Sequence, residues 1–307
     1  MAKNINSESS TGPTHREKRQ AKKAAKREAK IRRKEALRNA STGVKIRNAA
    51  LNVITFCLIG IILVCGYKIG TTLWQYHVAK SAYTNISEKT AKVDPKQFTG
   101  VVDWKALKKT NSDVQGWLYQ KDSPINYPVV QGTDNDTYLH TRFDGQWSGG
   151  GTLFVDSRME ANFRGFNTII YGHHMRDGSM FRSLRGYTKE EGYYDSHKTL
   201  ELATPHGNYH LQVFSAYITK ATDPKTYKVA YDGKEDKQTY IDHAFQQSEL
   251  GIGEEEISVT PKDQIVTLST CAYDYEEARY IVVCKMVPWT KAEVAAGKEA
   301  QKAKDKK

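Results

Sequence analysis

The stretch Ala49–Tyr67, AALNVITFCLIGIILVCGY, runs for 19 residues without a charged side chain. That is close to the roughly 20 residues an α-helix needs to cross the hydrocarbon core of a bilayer, and only Asn52 and Thr55 dilute it. A cleavable signal peptide would have a short basic region, a shorter apolar core and a small-residue cleavage site. Here 48 residues come before the run and GYKIGTTLWQY closes and follows it, so the segment reads as an uncleaved anchor.

The charge distribution gives the anchor a direction. Residues 1–48 hold 15 Lys/Arg and 4 Asp/Glu, which is the whole formal net charge of +11, while the rest of the chain carries 31 of each sign. Dense positive charge before the run, against Lys68 alone just after it, puts the N-terminus in the cytoplasm by the positive-inside rule. The chain from about residue 70 is then extracellular, with Trp74 and Tyr76 suited to the outer interface. The basic stretch HREKRQAKKAAKREAKIRRKEALR reads either as a helix lying on anionic lipid or as a disordered topology signal. A nucleic-acid partner is not expected: the folded part is neutral, and no aromatics interleave with the tail's charges for base stacking.

Five regions follow: a basic cytoplasmic tail (1–48), a transmembrane anchor (49–67), a helical stalk or linker (68–101), a catalytic domain (102–288) and a charged C-terminal tail without an evident packing face (289–307). Within the domain a helix near Trp104 precedes strand-like runs at 114–119, 127–131, 151–156, 167–172, 208–218, 264–270 and 279–287, punctuated by Gly, Asn and Asp. Seven short strands with few helices imply a mostly β fold closed, or nearly closed, into a barrel. Residues 234–250 carry apolar positions at helical spacing and predict a helix between the fifth and sixth of these strands.

Two of the four cysteines, Cys57 and Cys65, fall in the apolar run, where a thiol behaves as a small hydrophobe. Cys271 and Cys284 alone remain outside, too few for a disulfide-built domain. A bridge between them is open, although YIVVCKMV alternates like a strand, with Cys284 on a core face opposite to that of Arg279. Cys271 closes the apolar strand QIVTLST between polar flanks, where the backbone is about to turn. A free thiol needs little activation to act as a nucleophile. YGHHM at 171–175 supplies imidazoles at another strand end, and since His173 and His174 are adjacent, extended backbone sends them to opposite sides. One can serve a site while the other is structural. The pair lacks the further ligand spacing of a zinc site, so neither metal nor cofactor is expected. Arg279, at the start of a strand, reads in isolation as either an anion stabiliser or a solvated edge charge.

Taken in order, VDWKALKKTNSDVQGWLY, INYPVVQGTDN, YLHTRF, GTLFVDSR, NTIIYGHHMRDGSMF and TLSTC, followed by an Arg and a β-branched strand, resemble the class B sortases. These are membrane-anchored cysteine transpeptidases of Gram-positive bacteria. The similarity runs from about Val102 to Val287. It implies a sortase β-barrel of about eight strands with N-terminal helices and a helix between strands six and seven. It also implies His173, Cys271 and Arg279 as catalytic residues, and Asn135, Leu139, Tyr171 and Ser269 as substrate-binding residues. The implied activity is of thiol-protease type, hydrolase and acyltransferase at once. A C-terminal sorting motif of a secreted protein is cleaved through a thioacyl enzyme and joined to an amine of the cell-wall precursor or peptidoglycan. The anchor and basic tail would meet membrane lipid. Alternative readings are a pilus polymerase using a Lys of another subunit, a plain cysteine endopeptidase, and a membrane-tethered binding module without catalysis.

Overall fold

The computed structural model describes residues 15–39, 41–94, 96–271, 274 and 276–306, with the backbone alone at Leu37 and Cys271. It divides into two compact units, Met1–Thr71 and Thr72–Lys307. In the first, helix α1 (His15–Arg38) is exposed along its length, and α2 (Thr42–Asn85) begins. Among the described residues, the helix through Thr42–Ala91 is the one long and apolar enough to cross a membrane. Phe56, Ile62 and Leu63 are exposed on it, as lipid-facing side chains are.

In the second unit a π-helical turn (Ile86–Ala91) ends α2. In chain order follow α3 (Trp104–Thr110), β1 (Val114–Tyr119), β2 (Asn126–Val130), α4 (Thr137–His140), β3 (Leu153–Val155), β4 (Asn167–Tyr171), α5 (Gly186–Lys189) and α6 (Tyr193–Ser196). The chain continues through β5 (Thr199–Thr204), β6 (Gly207–Lys220), α7 (Gly233–Gln247), β7 (Gln264–Cys271), β8 (Ala278–Pro288) and α8 (Lys291–Asp305). The strands close into a barrel in the order β1-β2-β3-β4-β7-β8-β6-β5, with β5 pairing back onto β1. Two of the pairs, β2 with β3 and β4 with β7, are parallel.

Alternation along β7 and β8 feeds two cores. Val266, Leu268, Val282 and Cys284 join the main cluster with Trp117 and Phe181, while Ile265, Ile281 and Val283 join a second one with Tyr240, Ile241 and Ala244 of α7. A sheet covered on both faces is why these strands read as near-continuous apolar runs. Cys284 is free and fully buried, so the bridge to Cys271 is not made. Burial pushes its thiol pKa up, which suits an inert core residue.

The structure adds to the sequence reading in three places. An eighth strand, β5, pairs antiparallel with β6 through a two-residue turn at Pro205-His206. TLELAT alternates as a strand should, but its Glu and Ala and the polar neighbours mask it. The stalk is no free spacer, because Tyr83, Ile86, Ala91 and Val93 are buried in the main core. Tyr83 donates its hydroxyl hydrogen to the Gly151 carbonyl.

The C-terminal segment is the third, since it forms a docked helix. Thr290 and Glu293 make a capping box at its start, Gln301 accepts from Thr99 at 3.0 Å, and Lys304 pairs with Asp94 at 2.9 Å. Glu293 also meets His210 Nε2 at 3.1 Å, whose Nδ1 faces Glu201 at 3.0 Å. Gly297 lies so close to the Thr99 carbonyl that an added Cβ would collide with it. Gly297→Val is therefore expected to lower stability by about 1–3 kcal/mol, read as a lower thermal midpoint of the detergent-solubilised chain. An unchanged midpoint would mean that α8 does not need this close approach.

Candidate active site

Parallel pairing of β4 with β7 decides where the chemistry-bearing residues meet. Its register sets Tyr171 against Ser269, and the Gly172 N–H donates to the Ser269 carbonyl at 3.1 Å. His173 is two residues beyond Tyr171, and Cys271 is two beyond Ser269. Neighbouring strands run roughly 4.8 Å apart, so both residues arrive at one rim of the barrel. The antiparallel register of β7 with β8 then sets Cys271 directly opposite Arg279. The Cys271 thiol itself lies outside the described residues.

A groove of about 410 Å³ opens at this rim. His173, Arg279, Asn135, Leu139, Tyr171 and Ser269 all line it, so six of the seven residues singled out in the sequence converge on one concavity. The two adjacent histidines separate. His173 is half-buried on the groove, whereas His174 is buried with its ring 5.6 Å from that of Tyr280. His173 Nε2 sits 2.8 Å from the Leu139 carbonyl oxygen. Burial lowers the His173 pKa, the Leu139 bond opposes that shift, and the neighbouring His140 adds to it. A neutral imidazole is thereby favoured at neutral pH, the form that accepts a proton.

One wall of the groove is a hydrogen-bonded array that the sequence did not announce. The fully buried Asp156 accepts from Arg158 at 2.9 and 2.7 Å and from the Tyr171 hydroxyl at 3.0 Å. Desolvation alone would raise the Asp156 pKa, but the Arg158, Asn135 and Tyr171 bonds overcome it and hold the carboxyl at about 2. Tyr171 stacks on Tyr227 with centroids 6.2 Å apart, and the Tyr227 hydroxyl lies 2.9 Å from Ser269 Oγ. Asn135 is also tied down, its Oδ1 accepting from the Ser157 N–H at 2.8 Å. Arg158, Asp223, Tyr227 and Phe154 line the groove without having been singled out. Arg158 had a signal in VDSR, two residues after an acid. Asp223 and Tyr227 come from the loop after β6, where no pattern marks them. Among the described residues no cluster of His, Cys, Asp and Glu is able to hold a metal ion.

A closed eight-stranded barrel, with an imidazole and a guanidinium on a peptide-sized groove where two parallel strands end, has the architecture of a thiol transpeptidase of the sortase kind. Residues 121–287 match the family model described as Sortase domain. Sortase B of Staphylococcus aureus is 34% identical over 240 residues, covering 77% of this chain and 96% of that protein. Sortase B of Bacillus anthracis, solved in complex with AAEK1, superposes with a TM-score of 0.61 at 32% identity, covering 71% of this chain and all of that one. The Staphylococcus aureus sortase B–substrate complex superposes with a TM-score of 0.56 at 31% identity, covering 73% of this chain and 97% of that one. The chain belongs to the sortase family, in class B. Its function is that of a sortase transpeptidase.

Asp156 also sets an acid limit on the fold. Its pKa is lowered on folding, so its contribution is complete above the unfolded carboxylate value near 4 and fades as pH falls towards 2. Equilibrium unfolding at pH 7 and pH 2.5 is expected to differ by about 2 kcal/mol more in the native chain than in Asp156→Asn. Equal differences in both would remove the ion pair from the account of acid sensitivity.

Proposed function

We propose that the groove at the β4–β7 rim seats the C-terminal sorting motif of a secreted protein, and that Cys271, His173 and Arg279 carry out the acyl transfer. The observation that carries this reading is the convergence on that groove of His173, Arg279 and four further residues, with Cys271 at the register position opposite Arg279. In the first half-reaction His173 takes the proton of the Cys271 thiol, the resulting thiolate attacks the carbonyl carbon of the scissile peptide bond, and the carbonyl π electrons move onto oxygen. Arg279 stabilises that oxyanion or holds the peptide backbone. Collapse breaks the C–N bond as His173 gives a proton to the leaving amine. In the second half an amine of the cell-wall precursor or peptidoglycan attacks the thioester, His173 takes its proton, and the thiolate leaves. Asn135, Leu139, Tyr171 and Ser269, which all line the groove, hold the peptide. Phe154, Leu139 and the two tyrosines make the groove partly apolar, which disfavours water as the competing acceptor.

The same reading places the enzyme at the cell membrane. The apolar part of α2 is long enough to span a bilayer, and the charge imbalance before Ala49 is the supporting observation for a cytoplasmic N-terminus and an extracellular groove. The anchor, with the basic helix α1, meets membrane lipid.

Mass spectrometry of the chain incubated with a panel of sorting pentapeptides should show a thioester adduct that hydroxylamine or a glycine-type amine releases. The adduct is expected to vanish in Cys271→Ala. In His173→Ala and Arg279→Ala, kcat should fall by about a hundredfold or more, whereas Leu139→Ala should mainly raise KM. An adduct that persists in Cys271→Ala would refute the assignment of the nucleophile, and product motifs would name the substrate.

A further inference from the structure

Both neighbours that hold the His173 ring come from the one-turn helix α4. Its Nε2 lies 2.8 Å from the Leu139 carbonyl oxygen. A carbonyl oxygen only accepts, so Nε2 carries the hydrogen and, in the neutral ring, the lone pair is on Nδ1. The imidazole of the next residue, His140, stacks on that of His173 with centroids 5.8 Å apart and planes 24° from parallel. Trp147, which is 65% exposed, stacks in turn on His140 at 6.4 Å.

Short as it is, α4 is firmly held. Asp134 accepts from the N–H groups of Asp136 and Thr137 at 2.8 and 2.7 Å. The Tyr138 hydroxyl donates to Asp113 at 2.7 Å. From the other side the Ser148 N–H donates to the His140 carbonyl at 2.8 Å, and the Thr152 N–H to the Tyr138 carbonyl at 3.0 Å. Gly151, at φ +53°, lies so near that a Cβ on it would strike the carbonyls of Tyr138 and Leu139. So tightly fixed a platform presents a ring as well as a carbonyl to His173, and only the carbonyl is needed to set the tautomer.

We propose that His140 is a positioning residue for the transpeptidation, its ring holding the His173 imidazole so that Nε2 stays on Leu139 and Nδ1 exchanges the proton with thiol and amine. The inference rests on the reading of His173 as the acid–base group and adds the group that orients it. His140 has a second effect that separates it from inert packing. A proton on its ring repels one on His173, in the same direction as the burial that lowers the His173 pKa and against the Leu139 bond that raises it. The other charged side chains on the groove, Arg158, Asp223 and Arg279, come from other elements and are unaltered by a change at His140.

The test compares His140→Ala, which removes ring and charge, with His140→Phe, which keeps a ring, and with His173→Ala. Steady-state transpeptidation of the full chain in detergent gives kcat and KM, and NMR of labelled histidine follows the His173 titration. Since His140 is exposed, the variants are expected to fold. In His140→Ala, kcat should fall about ten- to a hundredfold with KM little changed, as for a misplaced catalytic group. His140→Phe should recover most of that loss. Its His173 titration should move up by about half a pH unit, the effect of removing a charge at this separation when solvent at the exposed His140 ring screens most of it. Native kcat in His140→Ala, equal loss in both variants, or an unmoved titration in His140→Phe would overturn the proposal. Native activity in His173→Ala would instead overturn the acid–base reading, and this inference with it.

Discussion

Parallel pairing of β4 with β7 is the constraint on which the site depends. His173 and Cys271 are 98 residues apart in the chain, and nothing local brings them together. Once Tyr171 is set against Ser269, both strands run out at the same rim, and the residues just past that couple become neighbours. A slip of one residue would turn every side chain of β7 to the other face, sending Val266 and Leu268 out of the main core. The two cores on either side of β7 thus specify the register, and the register specifies the site. Apolar packing does the aligning that brings these residues to one rim.

The polar groups at the groove behave differently. Asp156 is buried outright and is kept charged only because Arg158, Tyr171 and Asn135 surround it. Such a pair adds little net stability compared with apolar packing, but it is costly to break. Its value lies in geometry: Asp156 holds the Tyr171 hydroxyl, Tyr171 stacks on Tyr227, and Tyr227 meets Ser269. The Leu139 carbonyl of α4 meets the His173 imidazole. The groove is therefore lined by groups whose positions are fixed by hydrogen bonds within the fold, the kind of preorganisation that favours a transition state over water.

Both ends of the catalytic unit are folded back onto it. The end of α2 and the π-helical turn after it enter the main core through Tyr83 and Ile86, and α8 clamps the segment around Thr99 through Gly297, Gln301 and Lys304. Small barrels leave little spare surface for burial, and covering the entry segment with a capped terminal helix enlarges the buried area of this one.

Much of this was legible in the sequence. An uncharged run of 19 residues marks, by length alone, a helix long and apolar enough to cross a membrane. Seven of the eight strands show themselves through apolar, β-branched patterning, and ordered short motifs point to the family and its barrel. For the site, adjacency forces His173 and His174 apart, and the alternation of YIVVCKMV correctly assigns Cys284 to the core. What the sequence obscured has a common cause. The strand at Thr199–Thr204 contains Glu201, tolerated because His210 and Trp289 satisfy its carboxylate; the last helix docks through a glycine and the polar Gln301 and Lys304, which leave no hydrophobic signal. Asp156, Tyr227 and His140 acquire meaning only from contacts with Tyr171, Ser269 and His173, which the fold brings to them. Patterning and local chemistry determined the elements and the reactive residue types, because both are properties of neighbours in the chain. Tertiary structure alone decided which carbonyl holds the His173 ring and how Asp156 meets Asn135 and Tyr171, because those partners are distant in sequence and are brought together only by the fold.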